Sequence, residues 1–418
     1  MSMLSSDVGD LLMQRIEQLA TLSESEHGLT RRFATPEHRL ANDMASGWMK
    51  QAGMTVHEDA IGNVIGRYEG TTPNAPAIML GSHLDTVVMA GKYDGMLGVL
   101  CGLACVEYLA AQSKRLPHAI EVIAFADEEG VRYQSTFLGS RAVTGEFDFD
   151  QLDRLDKDGI SMRDALIAFG KNPEEIKHAV RKPEEIAAYL EVHIEQGPVL
   201  ELEGLGVGVV SAIAGATRMV TTIKGEAGHA GTVPMSTRRD ALVAAAECIT
   251  GIENICTGPA DLVGTVGSVK ADPGAGNVIP GRVEFTIDIR AADDARRKVA
   301  VDSVVAHLQH VCKQRELEIQ IDTVHDEPSE VCDTALNEHI GTAIASCQPR
   351  VLTLSSGAGH DAMVMTHLTA SGLIFVRCAG GISHNPAESI TVEDAALGAE
   401  VMLQSVLNFS AATEGQAS

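Results

Sequence analysis

The sequence predicts an α/β protein in which a mixed-sheet domain that carries the chemistry is interrupted by a smaller ferredoxin-like βαββαβ domain. Three observations lead there. Apolar runs at 77–80, 119–126 and 188–194 have the length of buried strands, and each runs straight into His, Asp or Glu. Residues 95–112 are apolar almost all round, with Gly98, Cys101, Gly102, Ala104 and Cys105 as small members, which predicts a helix packed tightly between other elements. Between 212 and 326 the pattern changes to strand, helix, strand, strand, helix, strand, the split βαβ succession. The expected domains are therefore 1–211 with 327–418, and an inserted 212–326.

Composition narrows the partners. With 32 basic against 57 acidic side chains the formal charge is −25, a field that repels phosphate backbones and anionic membrane surfaces. Nucleic acid and membrane are excluded as partners on this ground, and an anionic substrate would need local arginines. The 8 cysteines are scattered without a Cys-x-x-Cys pair and are expected to be reduced core residues. No basic-then-apolar leader is present and no apolar run approaches the ~20 residues that span a bilayer. A cytoplasmic protein is expected.

Residues 7–22 carry Val8, Leu11, Leu12, Ile16 and Leu19 at helical spacing. A second helix enters at Thr35-Pro36-Glu37 and ends near Gly53, and 55–59 with 63–68 alternate as a hairpin about Ile61-Gly62-Asn63. The run 77–80 then feeds Gly81-Ser82-His83-Leu84-Asp85-Thr86, and Tyr93-Asp94-Gly95 closes the loop before the tight helix. The strand 119–126 delivers Asp127-Glu128-Glu129-Gly130. Residues 147–182 are polar and acidic and read as a surface excursion. The strand 188–194 ends in His193-Ile194-Glu195-Gln196-Gly197-Pro198.

Inside the insertion the expected elements are a strand 218–224, a helix 239–252, strands 262–269 and 282–290, a helix 293–314 and a strand 318–323. The larger domain resumes near Glu327-Pro328 with a helix 336–346 and a strand 373–376 that leads to Gly381-Ile382-Ser383-His384-Asn385-Pro386. Thr391-Val392-Glu393-Asp394 caps a last helix reaching about Phe409, with 411–418 left as a frayed polar tail.

A lone histidine or an acidic turn is ordinarily a surface feature. Three strand ends that deliver such groups to one sheet edge are not explained by core packing. Two divalent ions ~3.5 to 4 Å apart need a bridging carboxylate and terminal imidazole or carboxylate ligands, and they lower the pKa of the water between them. The chain offers Asp94 as the bridge, with His83 and His193 on one ion and Glu129 and His384 on the other, the division between ions being left open. Asp85 would accept the second N–H of His83 and fix its tautomer. Glu128, beside a ligand carboxylate, would be the general base. Imidazole and carboxylate without thiolate suit zinc and also accept manganese, cobalt or nickel.

These residues lie in ordered motifs along nearly the whole chain: Gly28-Leu29-Thr30-Arg31, the His83, Glu128 and His193 segments, His229-Ala230-Gly231-Thr232-Val233-Pro234-Met235, Gly276-Asn277-Val278-Ile279-Pro280-Gly281, Ser356-Gly357-Ala358-Gly359-His360-Asp361-Ala362 and the His384 segment. In this the chain resembles the hydantoinase/carbamoylase family of dinuclear metal amidohydrolases, within the aminoacylase and carboxypeptidase superfamily. The resemblance implies the same five ligands and the same base. It also implies a homodimer through the inserted domain, with His229 and Asn277 reaching the partner's site to stabilise the oxyanion. Arg218 and Arg290, with Gln196 and Asn277, would bind the carboxylate-bearing substrate. His360 and Asp361 would support the site from nearby. Arg377-Cys378-Ala379 departs from the family's usual proline and serine.

The implied reaction is cleavage of the carbamoyl C–N bond of a small ureido acid, allantoate or an N-carbamoyl-L-amino acid. The alternatives are an aminoacylase or aminopeptidase on the same metal frame, or a non-catalytic metal-binding protein. Glu128 argues against the last, because a scaffold needs no free base at its metal.

Overall fold

A computed structural model of the chain describes residues 3–5, 7–258 and 261–417. Two compact units result, one of Met1–Ser211, Cys332–Leu354 and His360–Ser418, the other of Ala212–Val331 with Ser355–Gly359. Compared with the insertion 212–326 read from the sequence, the second unit also takes in the short strand Glu330–Val331 and a loop from further along the chain.

In the first unit, helix α1 (Val8–Ala20) buries Val8, Leu12, Ile16 and Leu19. Helix α2 (Pro36–Gln51) starts with Pro36 in its first turn, and Thr35 Oγ1 accepts the His38 N–H at 3.3 Å. The strands are β1 (Thr55–Glu58), β2 (Val64–Tyr68), β3 (Ala77–His83), β4 (Ala119–Phe125), β5 (Ile186–Ile194) and β6 (Val207–Ile213). With the strand Ser371–Val376 they order as β1-β2-β4-β3-β5, then Ser371–Val376, then β6. The four central strands are parallel. Every residue of β3 and β4 is buried, which is why their sequences read as mainly apolar runs, broken in β4 by the buried Glu121, rather than as alternation.

Register sets the site. Leu80 pairs with Leu190, so three residues on β3 and β5 bring His83 and His193 to the same edge, where His193 lies beside Phe375 and His83 beside Phe125. Helix α3 (Met96–Ala111) covers this sheet so closely that a Cβ on Gly98 would lie 2.3 Å from the Val192 carbonyl oxygen. Its entry turn needs Gly95, which has φ +76° and whose added Cβ would lie 2.5 Å from His83 Cε1.

The second unit is an antiparallel sheet with helices Ala241–Cys256 and Asp294–Gln314. Its strands are β7 (Gly215–Lys224), β8 (Gly228–His229), β9 (Leu262–Thr265), β10 (Val269–Asp272), β11 (Val278–Ile279), β12 (Arg282–Ala291) and β13 (Glu318–Glu327). They order as β10-β12-β7-β13 with β9 also on β12, while β8 and β11 form a separate ladder. Strand β12 alternates between half-exposed and buried residues, and its inner set, Val283, Phe285, Ile287 and Ile289, packs with Ala244, Cys248, Ile252, Val304 and Leu308.

Four expectations change. The strand expected at 262–269 is two strands, separated at 266–268, where Ser268 gives its N–H to Thr286 Oγ1 while its carbonyl takes the Thr286 N–H. The excursion 147–182 has its own core, in which Phe147, Leu152, Met162, Leu166 and Phe169 pack with Phe33, Ile61 and Leu138. The last helix runs Val392–Ala417, so the expected frayed tail is helical, with Ser418 outside the described residues. Strand β6 was not anticipated. All eight thiols are free and seven are buried. Among the described residues no helix is long and apolar enough to cross a membrane.

Candidate metal centre

The carboxyl edge of the parallel strands gathers His83, Asp94, Glu128, Glu129 and His193, and the turn after Ser371–Val376 adds His384. Asp94 stands in the middle. Its Oδ1 lies 3.0 Å from His193 Nε2 and 3.4 Å from His83 Nε2, and its Oδ2 lies 3.4 Å from His384 Nε2. His384 Nε2 is also 3.4 Å from Glu129 Oε1. The two oxygens of one carboxylate thus face two donor sets, His83 with His193 and His384 with Glu129. Within each set, and again for His83 with Glu128 and Glu129, the donor atoms lie within 4.8 Å of one another.

The far nitrogens of the two inner imidazoles are tied to backbone. His83 Nδ1 faces the Asp85 carbonyl at 3.0 Å and His193 Nδ1 the Ile194 carbonyl at 2.9 Å, which turns each Nε2 towards Asp94. Asp85 has a second use. Its Oδ1 and Oδ2 accept the N–H groups of Glu128 and Glu129 at 2.9 and 3.1 Å, so one buried carboxylate fixes both acids of the turn after β4.

Behind it sits Arg31, fully buried, donating from Nε to Leu84 O at 2.7 Å and from Nη1 to Leu19 O and Leu22 O at 2.8 and 3.0 Å. Burial lowers the Arg31 guanidinium to about 10 even though Asp85 pulls it the other way. The glycine-led motif around Arg31 therefore braces the His83 loop.

Burial also works on the acids. It drives Glu128 well above the carboxylate range, with Glu129's charge adding to the effect, and raises Glu129 to about 7, with Asp94 adding. Burial pushes Asp94 the same way but is outweighed by His193, His384 and His83, which hold it well below that range. Five acids, Asp85, Asp94, Asp127, Glu128 and Glu129, thus crowd three imidazoles, and Asp127 Oδ1 is buried without a hydrogen-bond partner. An excess of buried negative charge around convergent nitrogen and oxygen donors fits divalent cations.

Other expected site residues fall in two groups. In the first unit, Gln196 has φ +58° and gives its Nε2 proton to Asp94 Oδ2 at 2.7 Å, so its amide belongs to the cluster. His360 stacks edge-on against His193 with ring centroids 4.4 Å apart, and Asp361 accepts the Ser140 hydroxyl at 2.6 Å. Arg377 pairs with Asp394 at 2.9 Å, at the start of the last helix.

In the second unit, the β8–β11 ladder pairs His229 with Val278, and the Ala230 N–H donates to Asn277 O at 3.0 Å, which brings His229 and Asn277 together. Arg218 and Arg290 both hold Asp288, through Arg218 Nε at 3.0 Å and Arg290 Nε at 2.9 Å, and Arg290 Nη1 donates to Gly357 O at 2.8 Å. The pair lines a cavity of about 570 Å³ with Val220, Val263 and Thr286. Two further acids carry little signal in the sequence: Asp288, two residues before Arg290 on a strand, and Glu388, which follows His384 in a Pro-containing turn.

A mixed sheet with carboxylate-linked histidines at the ends of its parallel strands defines a class, the α/β metallohydrolases. A profile of the peptidase family M20/M25/M40 matches residues 79–408. The chain is 41% identical over 416 residues to allantoate deiminase of Arabidopsis thaliana, covering 92% of this chain and 79% of the relative. It is 40% identical over 399 residues to N-carbamoyl-L-amino acid amidohydrolase of Geobacillus stearothermophilus, covering 95% and 98%. A solved structure of a hydantoinase/carbamoylase family amidase from Burkholderia multivorans superimposes with a TM-score of 0.90 at 31% identity, over 96% of this chain and 97% of that one. The chain belongs to the M20/M25/M40 peptidase family, in its hydantoinase/carbamoylase group, and is a hydrolase acting on C–N bonds.

Proposed function

We propose that this hydrolase cleaves the carbamoyl C–N bond of a small ureido acid. One water enters, and ammonia, carbon dioxide and the free amine leave. The observation that carries the reading is the placement of Asp94 Oδ1 and Oδ2 towards two separate donor sets, His83 with His193 and His384 with Glu129. Those five residues would hold two divalent ions, zinc by preference and otherwise manganese, cobalt or nickel. When bound, such ions polarise the substrate carbonyl and lower the pKa of a water towards ~7.

Glu128 sits 8% exposed beside that cluster. It takes a proton from the attacking water and later gives it to the leaving nitrogen. Asp85 keeps its backbone in place. Arg218 and Arg290 bind the substrate carboxylate, Arg290 held by Asp288 and the Gly357 carbonyl and Arg218 presenting its two η nitrogens. Gln196, whose amide reaches Asp94 Oδ2, is the substrate-binding residue of the first unit. His229 and Asn277 act on the oxyanion in the partner's site of a homodimer formed through the inserted domain 212–326. Work at these positions supplies the positive charge that a net charge of −25 otherwise denies an anionic substrate.

The relatives named for allantoate and for N-carbamoyl-L-amino acids support both substrates, since each presents a carboxylate and a ureido group. We place the protein in the cytoplasm. The test is ammonia release from a panel of ureido acids, compared by kcat/KM with amine release from dipeptides and N-acyl amino acids. Preference for the ureido acids is expected, and release of amines alone would move the chain to the aminoacylase reading.

A further inference from the structure

We infer that Glu388 is the positioning residue that sets the Asp94 carboxylate between its two donor sets, an inference that rests on the metal reading above. Glu388 is 4% exposed, at the end of the His384-Asn385-Pro386-Ala387 turn. Its Oε1 accepts the N–H of Tyr93 at 2.8 Å and the N–H of Asp94 at 3.2 Å. Its Oε2 lies 3.0 Å from Ser383 Oγ, which in turn lies 2.8 Å from Asp94 Oδ2. One carboxylate thereby holds Asp94 by its backbone N–H and also meets Ser383, the hydroxyl that reaches the outer oxygen of Asp94.

The approach is close. A Cβ on Gly91 would lie 2.1 Å from the Glu388 carboxyl carbon, so the Asp94 loop can lie on this group only because residue 91 has no side chain. Among the described residues no basic side chain pairs with Glu388. A buried carboxylate held only by N–H and O–H donors is a costly way to close a loop, and an amide would serve a merely structural cap.

What the charge adds is direction. Ser383 has one hydroxyl proton and two carboxylate oxygens within reach, Asp94 Oδ2 and Glu388 Oε2. While Glu388 is a carboxylate, it can take that proton, so that Asp94 Oδ2, which already accepts from Gln196 Nε2, keeps its remaining lone pair for a cation. With glutamine at 388, the Tyr93 and Asp94 N–H groups fix the amide oxygen, so its NH2 points at Ser383. The Ser383 proton is then forced onto Asp94 Oδ2, in competition with the ion.

The test uses full-length protein loaded with zinc and titrated with a chelator. Glu388→Gln should fold with a melting temperature near that of the wild type, yet give up half its metal at a chelator concentration about ten-fold lower or more, the usual size of an effect from a residue behind a ligand. Its kcat should fall more than its KM rises. Wild-type chelator resistance in a folded Glu388→Gln protein overturns the inference. If that variant does not fold, Ser383→Ala decides, because it leaves the bonds from Glu388 to Tyr93 and Asp94 intact. Retention at or above the wild-type level supports the link, since the competing proton is gone, and weakened retention removes it. A wild-type chain that takes up no zinc would overturn the metal reading itself, whereas a wild type with two ions and an indifferent Glu388→Gln overturns only the role of Glu388.

Discussion

At the scale of single residues, the site separates groups that hold from groups that react. Asp85 gives its oxygens to the backbone N–H groups of Glu128 and Glu129, and its Oδ1 also lies 3.3 Å from His83 Nδ1, so it orients groups on both sides of the cluster. Glu128, by contrast, is anchored through its N–H while its carboxylate stays among the donor atoms. Glu128→Gln keeps shape and backbone bonds and removes the proton acceptor. The expected result is unchanged metal content, a KM close to wild type and a kcat lower by roughly 10²-fold or more, measured as steady-state ammonia release. Near-normal turnover would give the proton transfer to another group.

At the scale of elements, what could be read from sequence is what local periodicity encodes. The apolar runs of β3, β4 and β5 were legible because parallel strands buried on both faces carry no alternation, and the candidate ligands His83, Glu129 and His193 stand out because they lie at or just after the ends of those runs. The small helix residues pointed to close packing for the same local reason, and Gly98 against Val192 O shows how close. Glu388 was not legible, because its partners Tyr93 and Asp94 lie nearly 300 residues away and only the fold joins them. The β8–β11 ladder is two residues long on each side, too short for any pattern, and yet it is what brings His229 and Asn277 together. The end of the last helix is hidden in the sequence for the opposite reason. Residues 411–417 have no apolar stripe, and the helix there extends one already nucleated, which costs little.

At the scale of the whole molecule, the reading requires two chains for one working site. If His229 serves the partner's site, His229→Ala and Glu128→Gln homodimers are each inactive for different reasons, the first having lost an oxyanion donor worth ~3 kcal/mol and the second its base. Mixing them with subunit exchange should create heterodimers with one complete site and activity far above either parent. Exchange shown directly with activity still at the parental level would mean that His229 acts within its own chain or not at all. Beneath that arrangement lies the cluster itself, in which Asp94 faces His83 and His193 on one side and His384 and Glu129 on the other. The measurement that tests it most directly is the metal content of protein prepared without chelator, wild type beside His193→Ala, with ammonia release followed in both. Two divalent ions per wild-type chain, fewer in His193→Ala and a parallel loss of ammonia release are the predicted result; full occupancy with undiminished activity in His193→Ala would contradict the site.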